Sequence, residues 1–175
     1  MRVGVLTASD RSAAGARADR SAEVVGEVLA TMGWSIAEYR VVPDERELIA
    51  GALRAMAGAG MTLILTTGGT GLGPRDVTPE ATADVIDRPV PGLGELMREA
   101  GRQFTPRAAL SRGIAGIRGR TLIVNLPGSP RGVRENLEAL REVLPHAVEV
   151  LAGEVADCAR PDHPAEPSGA PGGSR

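Results

Sequence analysis

Short apolar runs alternate along this chain with segments of helical periodicity, and this alternation limits the possible folds more than any other feature. The apolar runs lie at residues 2–8, 34–42 and 61–66. The helical patterns lie at residues 19–32, 45–59, 78–87 and 92–104. Strands that alternate with helices predict an α/β protein with a mainly parallel sheet covered on both faces.

The last third of the chain departs from this alternation. Residues 113–118 and 121–126 flank Gly119 and predict a hairpin, whose antiparallel strand makes the sheet mixed. Residues 130–151 predict one long helix that Pro145 kinks or divides. The pattern ends near residue 153, so we expect one domain over residues 1–153. Residues 154–175 are rich in Pro, Gly and Ser and predict a disordered tail.

The third apolar run leads into the glycine-rich segment TTGGTGLGPRDVTPE, which begins at Thr66. Four glycines between a strand and a helix let the backbone approach a ligand and point several N–H groups at it. Arg75 adds a fork of donors suited to phosphate, and Asp76 adds a carboxylate suited to a divalent metal. The segment therefore predicts a site for a phosphorylated ligand and Mg²⁺.

The composition excludes several functions. All 20 basic residues among the 175 are Arg, so a Walker-type lysine, a Schiff base and a nucleotide-bearing lysine are excluded. The net charge of −2 and 2% aromatic residues argue against nucleic-acid binding. No apolar run reaches the length of a membrane helix, and the N-terminus lacks the shape of a signal peptide. With Cys158 as the single cysteine, we expect a cytoplasmic protein.

Ligands bind outside the carboxyl ends of the strands in sheets of this kind. Besides the glycine run, three polar segments are expected at that end of the sheet. The candidate residues that they contribute are Ser9, Asp10, Asp44, Asn125, Pro127, Gly128 and Ser129.

Several of these candidates also have a plain structural interpretation. Asp44 with Glu47 fits a helix-capping box, and Asp76 could merely close a turn before Thr78, yet the two carboxylates could also share one Mg²⁺. Ser129 could cap the last helix or help to bind an anion at its N-terminus.

Two further segments remain open in the same way. Ser9 and Asp10 belong to a polar loop, at residues 9–17, that is either solvated or part of the site. Ser111 and Arg112 are either phosphate donors or an ordinary surface turn.

The sequence also resembles a known family. Residues 67–82, TGGTGLGPRDVTPEAT, closely resemble the signature of the molybdenum-cofactor biosynthesis proteins, which include bacterial MogA and MoaB and domains of gephyrin. Five other segments agree in the same order: SDRSAAG from Ser9, DRSAE from Asp19, VVPDE from Val41, PGL from Pro91, and LSRGIAGIRGRTLIVNLPGSP from Leu110. The resemblance covers roughly residues 1–153.

The resemblance implies a three-layer α/β/α sandwich with a mixed sheet, assembled as trimers or multiples of trimers. It implies Mg²⁺-dependent adenylylation of molybdopterin by ATP, with release of pyrophosphate. Asp44 and Asp76 match the family's catalytic aspartates, which would hold the metal. The ligand-binding set then consists of Ser9, Asp10, Gly68, Gly69, Thr70, Gly71, Arg75, Glu80, Ser111, Asn125, Pro127, Gly128 and Ser129. Because no second domain follows residue 153, insertion of molybdate would require a separate protein.

Two alternatives stand beside the transferase. One is a nucleotide pyrophosphate hydrolase similar to the CinA domain, which shares the fold and a GLGP-type loop. The other is a non-catalytic molybdopterin carrier of the MoaB type. The segments RDVTPE and NLPGSP favour the transferase over the hydrolase.

Overall fold

The computed structural model describes residues 1–15 and 18–153 and shows one mixed sheet with helices on both faces. The strands are β1 (Val3–Ala8), β2 (Ile36–Val42), β3 (Leu63–Thr67), β4 (Arg88–Pro89), β5 (Ala115–Arg118) and β6 (Thr121–Leu126). Their order in the sheet is β2-β1-β3-β6-β5-β4. β2, β1, β3 and β6 run parallel, and β5 pairs antiparallel with both neighbours. The predicted mixed sheet is therefore confirmed.

The helices cover the sheet in two layers. They are α1 (Asp10–Ala13), α2 (Arg20–Thr31), α3 (Arg46–Gly58), α4 (Thr78–Ala83), α5 (Pro91–Arg102), α6 (Pro130–Leu140) and α7 (Val143–Ala152). One core cluster joins the sheet to α2, α5, α6 and α7, and the other joins it to α3 and α4. Consecutive residues of β1 enter different clusters, Val5 the first and Leu6 the second. Both faces of the central strands are buried, which explains their continuous apolar sequence.

The structure differs from the sequence-based expectations in three places. The predicted polar loop after β1 contains α1, which begins where Ser9 Oγ accepts a hydrogen bond from the Ser12 N–H at 3.2 Å. The chain between α4 and α5 forms the short edge strand β4. A 3₁₀ helix at Pro106–Leu110 follows α5. All three are only two to five residues long and give no periodic signal.

The predicted long C-terminal helix is divided, but the break lies before Pro145. α6 ends at Leu140 and α7 begins at Val143, so Pro145 occupies the first turn of α7. A proline ring clashes with the carbonyl group four residues earlier, here that of Arg141, and its missing N–H costs nothing in a first turn. The predicted tail at residues 154–175, with Cys158, lies outside the described residues. Among the described helices, none has the length and apolar character required to cross a membrane.

Candidate active site at the glycine loop

The segments expected at the carboxyl ends of the parallel strands meet in the structure. The Asp10 N–H donates to Asp44 Oδ2 at 2.9 Å, which joins the ends of β1 and β2. Gly128, after β6, packs on Gly68, after β3, so closely that an added Cβ would lie 3.2 Å from the Gly68 Cα. Segments distant in sequence therefore form one polar edge around the loop that follows β3.

The first two glycines of this loop are required by the backbone. Gly68 and Gly69 have φ angles of 91° and 62°, in the left-handed region that favours glycine. A Cβ on Gly68 would lie 2.3 Å from the Ala8 carbonyl oxygen, and one on Gly69 would lie 2.3 Å from Thr78 Oγ1. The loop thus turns sharply against β1 and against the start of α4.

Two carboxylates lie close to different glycines of the same loop. An added Cβ on Gly69 would lie 3.5 Å from Asp44 Oδ1, and one on Gly71 would lie 2.9 Å from Asp76 Oδ2. Partial burial raises the pKa of Asp44, and the charges of Asp10 and Asp76 raise it further. Asp44 and Asp76 therefore lie close enough to influence each other electrostatically.

The predicted capping box at Asp44 is wrong. The N-terminal cap of α3 is Glu45, whose side chain makes no capping hydrogen bond. Asp44 instead pairs reciprocally with Asp10: its own N–H donates to Asp10 Oδ1 at 3.0 Å, and its Oδ2 accepts from the Asp10 N–H. The local sequence pattern fitted a cap, but a contact with a residue 34 positions away takes its place.

Asp76 does close a turn, as its plain interpretation predicts. Its Oδ2 accepts from the Gly73 N–H at 2.7 Å, and its own N–H donates to the Gly73 carbonyl at 3.0 Å. Its Oδ1 has no hydrogen-bond partner among the residues that the structure describes. The structural role thus leaves one carboxylate oxygen available.

Arg75, predicted to bind phosphate, forms an ion pair with Asp10. Its Nε and one terminal nitrogen donate to the Asp10 carboxylate at 3.2 and 2.8 Å. The hydrogen bond from Arg75, and after it the N–H of Asp44, hold the pKa of Asp10 below its usual value. Because about half of each side chain is exposed (58% and 48%), water screens this pair strongly.

Arg112, for which the sequence left two interpretations open, lies against the glycine loop. Its N–H donates to the Thr70 carbonyl at 2.9 Å, and its Nε donates to the Gly71 carbonyl at 2.6 Å. Its terminal nitrogens donate to the Asp76 carbonyl and to Glu80 Oε1. Arg112 is therefore neither an ordinary surface turn nor a free phosphate donor.

Glu80, predicted as a binding residue, is the partner of this arginine in the structure. Burial pushes the pKa of Glu80 up, but the hydrogen bond and charge of Arg112 outweigh it and hold the pKa below the usual value. Its second oxygen, Oε2, is buried without a hydrogen-bond partner in the described part of the chain. Glu80 thus belongs to the support of the loop, and its contact with a ligand stays a prediction.

The residues after β6 divide between the sheet and the site. Asn125 is buried, and its amide nitrogen donates to Thr66 Oγ1 and Thr82 Oγ1 at 3.1 and 2.9 Å. It does not line the cleft described below, whereas Pro127, Gly128 and Ser129 do. Ser129 also caps α6, because its Oγ accepts from the Gly132 N–H at 3.1 Å.

A cleft of about 530 Å³ opens beside the glycine loop. One wall contains Gly69, Thr70, Gly71, Asp76 and the loop from Pro127 to Ser129. A second wall comes from α5, the 3₁₀ helix with its flanking residues, and α6, and it includes Met97, Arg98, Phe104, Leu110, Ser111, Arg131 and Asn136. The guanidinium of Arg131 lies 5.9 Å from the centre of the Phe104 ring, within cation–π range.

The sequence indicates the glycine wall of this cleft but not most of the second wall. It predicts no binding residue within α5 or α6, and it gives no sign of the 3₁₀ helix that carries Leu110. This second wall contains Phe104, the only phenylalanine of the chain, which is 55% exposed. Its exposure in a shared cleft with the glycine loop suits a binding wall, but that exposure is visible only in the structure.

The residues present fit a divalent metal that is completed by a ligand's phosphates. Asp44 Oδ1 and Asp76 Oδ1 accept no hydrogen bond from the described residues and flank the same loop. No group of three or more His, Cys, Asp or Glu side chains gathers as a metal site within residues 1–15 and 18–153. Two carboxylates with phosphate oxygens and water suit Mg²⁺, which rarely uses an all-protein cage.

Comparisons with known proteins identify the family of this chain. A family described as "Probable molybdopterin binding domain" matches residues 4–146. The molybdopterin adenylyltransferase of Helicobacter pylori (strain J99) is 45% identical over 154 residues, which cover 86% of this chain and 88% of that protein. The crystal structure of the molybdopterin biosynthesis enzyme MoaB from Thermus thermophilus is 57% identical, with a TM-score of 0.83, and the match covers 87% of this chain and 96% of that one.

A longer relative contains the same unit as part of a larger chain. The molybdenum cofactor biosynthesis bifunctional protein of Synechococcus elongatus is 45% identical over 149 residues. The match covers 85% of this chain but only 47% of that protein.

Proposed function

Because the chain belongs to the family of probable molybdopterin binding domains, we propose that it is a molybdopterin adenylyltransferase that uses ATP and Mg²⁺. The observation that carries the proposal is the position of Asp44 and Asp76. Each keeps one carboxylate oxygen available beside the same glycine loop, and Asp76 also lines a cleft of about 530 Å³. In this proposal the phosphates bind at the loop and the pterin binds in the adjoining cleft.

In the proposed reaction, the terminal phosphate of molybdopterin attacks the α-phosphorus of ATP. The new P–O bond forms as the bond to the β-phosphate breaks, and pyrophosphate leaves with that electron pair. Such transfer depends mainly on positioning and on charge neutralisation. Bound Mg²⁺ would supply part of that neutralisation.

The residues of the chain have distinct roles in this proposal. Asp44 and Asp76 hold the metal, and the N–H groups of Gly69, Thr70 and Gly71 orient phosphate oxygens. The cleft wall that includes Met97 and Phe104 binds the pterin. Arg75 can reach phosphate after it leaves Asp10, since the exposed ion pair between them is weak.

Three further features belong to the same proposal. We propose a homotrimer, or a multiple of trimers, that acts in the cytoplasm. We also propose that a separate protein inserts molybdate. The longer Synechococcus elongatus relative supports this division, because its printed name is bifunctional and this chain covers only 47% of it.

The decisive experiment is to incubate the protein with ATP and Mg²⁺, with and without molybdopterin, and to measure pyrophosphate. We expect release only with molybdopterin, together with adenylyl-molybdopterin by mass spectrometry, and loss of both when EDTA removes the metal. Release without the pterin would indicate a hydrolase instead. Pterin binding with no pyrophosphate release would indicate a carrier, and either result would overturn the transferase.

A further inference from the structure

We infer that Arg112 is a positioning residue for the proposed reaction, and that it sets the direction of the loop N–H groups without binding phosphate itself. The inference rests on the proposed function. Arg112 lies between the 3₁₀ helix and β5, so its side chain reaches the glycine loop from a separate part of the chain.

Arg112 contacts both ends of the glycine loop. Its backbone N–H and Nε hold the carbonyls of Thr70 and Gly71 at 2.9 and 2.6 Å. A terminal nitrogen holds the carbonyl of Asp76, which is five residues further along. The planar guanidinium offers donors in a fixed fork, so the segments on either side of the Gly73 turn cannot move independently while all contacts persist.

These contacts determine where the peptide N–H groups point. In a planar trans peptide, the C=O of one residue and the N–H of the next point in opposite directions. The Thr70 and Gly71 carbonyls face Arg112, so the N–H groups of Gly71 and Leu72 face away from it. Neither N–H has an acceptor among the described residues. They are therefore oriented donors available to an anion.

The charge of Arg112 is already engaged. Glu80 accepts from one terminal nitrogen, and the other two nitrogens of the guanidinium donate to the backbone carbonyls of Gly71 and Asp76. All three nitrogens are thus engaged, and a phosphate bound by their remaining N–H groups would compete with Glu80 for the same cation. This geometry favours a positioning role for Arg112, because N–H donors that are oriented before the ligand arrives need no reorganisation during the reaction.

The test compares Arg112→Ala, Arg112→Lys and a control, Arg118→Gln. Arg118 also donates to a loop carbonyl, that of Val85 at 2.9 Å, but it does not line the cleft. We expect kcat to fall about 100-fold in both Arg112 variants, with KM for molybdopterin changed less than about threefold. Lysine does not rescue, because one ammonium group cannot reproduce a planar fork. The control keeps the wild-type kcat.

Chemical rescue separates positioning from general structural damage. Low millimolar guanidinium is expected to restore part of the kcat of Arg112→Ala, whereas methylammonium at equal ionic strength does not. Full activity in Arg112→Lys would overturn the inference. So would a loss confined to KM for ATP, because that pattern indicates direct phosphate binding.

A readout without turnover keeps this inference separate from the proposed function. If the wild type releases no pyrophosphate, the proposed function fails, and the ¹⁵N–¹H signals of Gly71 and Leu72 still test the role of Arg112. Large chemical-shift changes at these two amides in Arg112→Lys, with β3 unchanged, support positioning. Unchanged amides overturn it. Thermal unfolding of each variant shows whether the fold persists.

Discussion

The two carboxylates of the site are held by contacts of very different strength. Asp76 belongs to the glycine loop: its side chain accepts from Gly73, and its carbonyl accepts from the partly buried Arg112. Asp44 lies outside the loop and depends on Asp10, whose charge is shared with the exposed Arg75. A guanidinium therefore supports each side, once through backbone carbonyls and once through a solvent-exposed ion pair.

This difference shows how one residue type can serve a site in two ways. Water and salt compete with the contact between Arg75 and Asp10, so that arginine can exchange one anion for another. The backbone carbonyls that Arg112 holds would lose their partners if it left, and that loss is costly for partly buried groups. We therefore expect changes on the Asp76 side to cost more activity than changes on the Asp44 side of the loop.

The largest effect is expected from Asp76→Asn. The amide oxygen can still accept from the Gly73 N–H, so the turn persists, but the proposed metal would lose a charged ligand. Turnover should fall by about 10²–10³-fold, while molybdopterin binding largely survives. Steady-state pyrophosphate release and pterin fluorescence measure the two quantities. Unchanged turnover would remove Asp76 from the catalytic machinery.

A smaller effect is expected from Gly71→Ala, which disturbs the same carboxylate sterically. The new Cβ would lie 2.9 Å from Asp76 Oδ2, so the carboxylate must shift, although the φ angle of Gly71 is not in the left-handed region. We expect turnover to fall about tenfold or more with little change in the melting temperature. Gly51→Ala is the matched control, because an added Cβ there meets nothing within 4 Å. Wild-type turnover in Gly71→Ala would show that Asp76 tolerates displacement.

Much of the glycine-loop wall of this site could be predicted from the sequence. The glycine run, Asp76 and the strand that precedes them are contiguous, so composition and periodicity identified them together. Ser129 followed the cap-then-proline rule and caps α6. These features depend on local conformation, which sequence patterns report well.

The support of the site could not be predicted, because it depends on contacts between distant residues. Arg112 reaches Gly71 across 41 positions, and Asp44 pairs with Asp10 across 34. No period or spacing encodes such contacts, and a local rule even gave the wrong role for Asp44, that of a helix cap. The second wall of the cleft was missed for a related reason, since the 3₁₀ helix at Pro106–Leu110 is too short to show periodicity.

Arg75→Gln tests the weaker side of the comparison. Loss of the exposed ion pair with Asp10 should leave the melting temperature nearly unchanged and reduce turnover by less than about tenfold. The difference between variant and wild type should shrink as salt rises from about 0.05 to 0.5 M, because screening weakens the wild-type contact. A loss as large as that of Arg112→Ala, independent of salt, would erase the distinction between the two arginines.

The smallest expected effect is a pair of opposite shifts in the pKa of Asp44. Burial raises this pKa first, the charge of Asp10 raises it further, and the charge of Arg75 lowers it. Asp10→Asn removes a negative neighbour and should lower the pKa of Asp44, whereas Arg75→Gln removes a positive neighbour and should raise it. Arg112→Lys should leave it unchanged, since it keeps the positive charge at position 112. Carboxyl ¹³C NMR titration of the metal-free protein measures all three variants. Shifts of the same sign in the Asp10 and Arg75 variants would mean that Asp44 responds to rearrangement of the loop, and the two sides of the site would then be coupled mechanically.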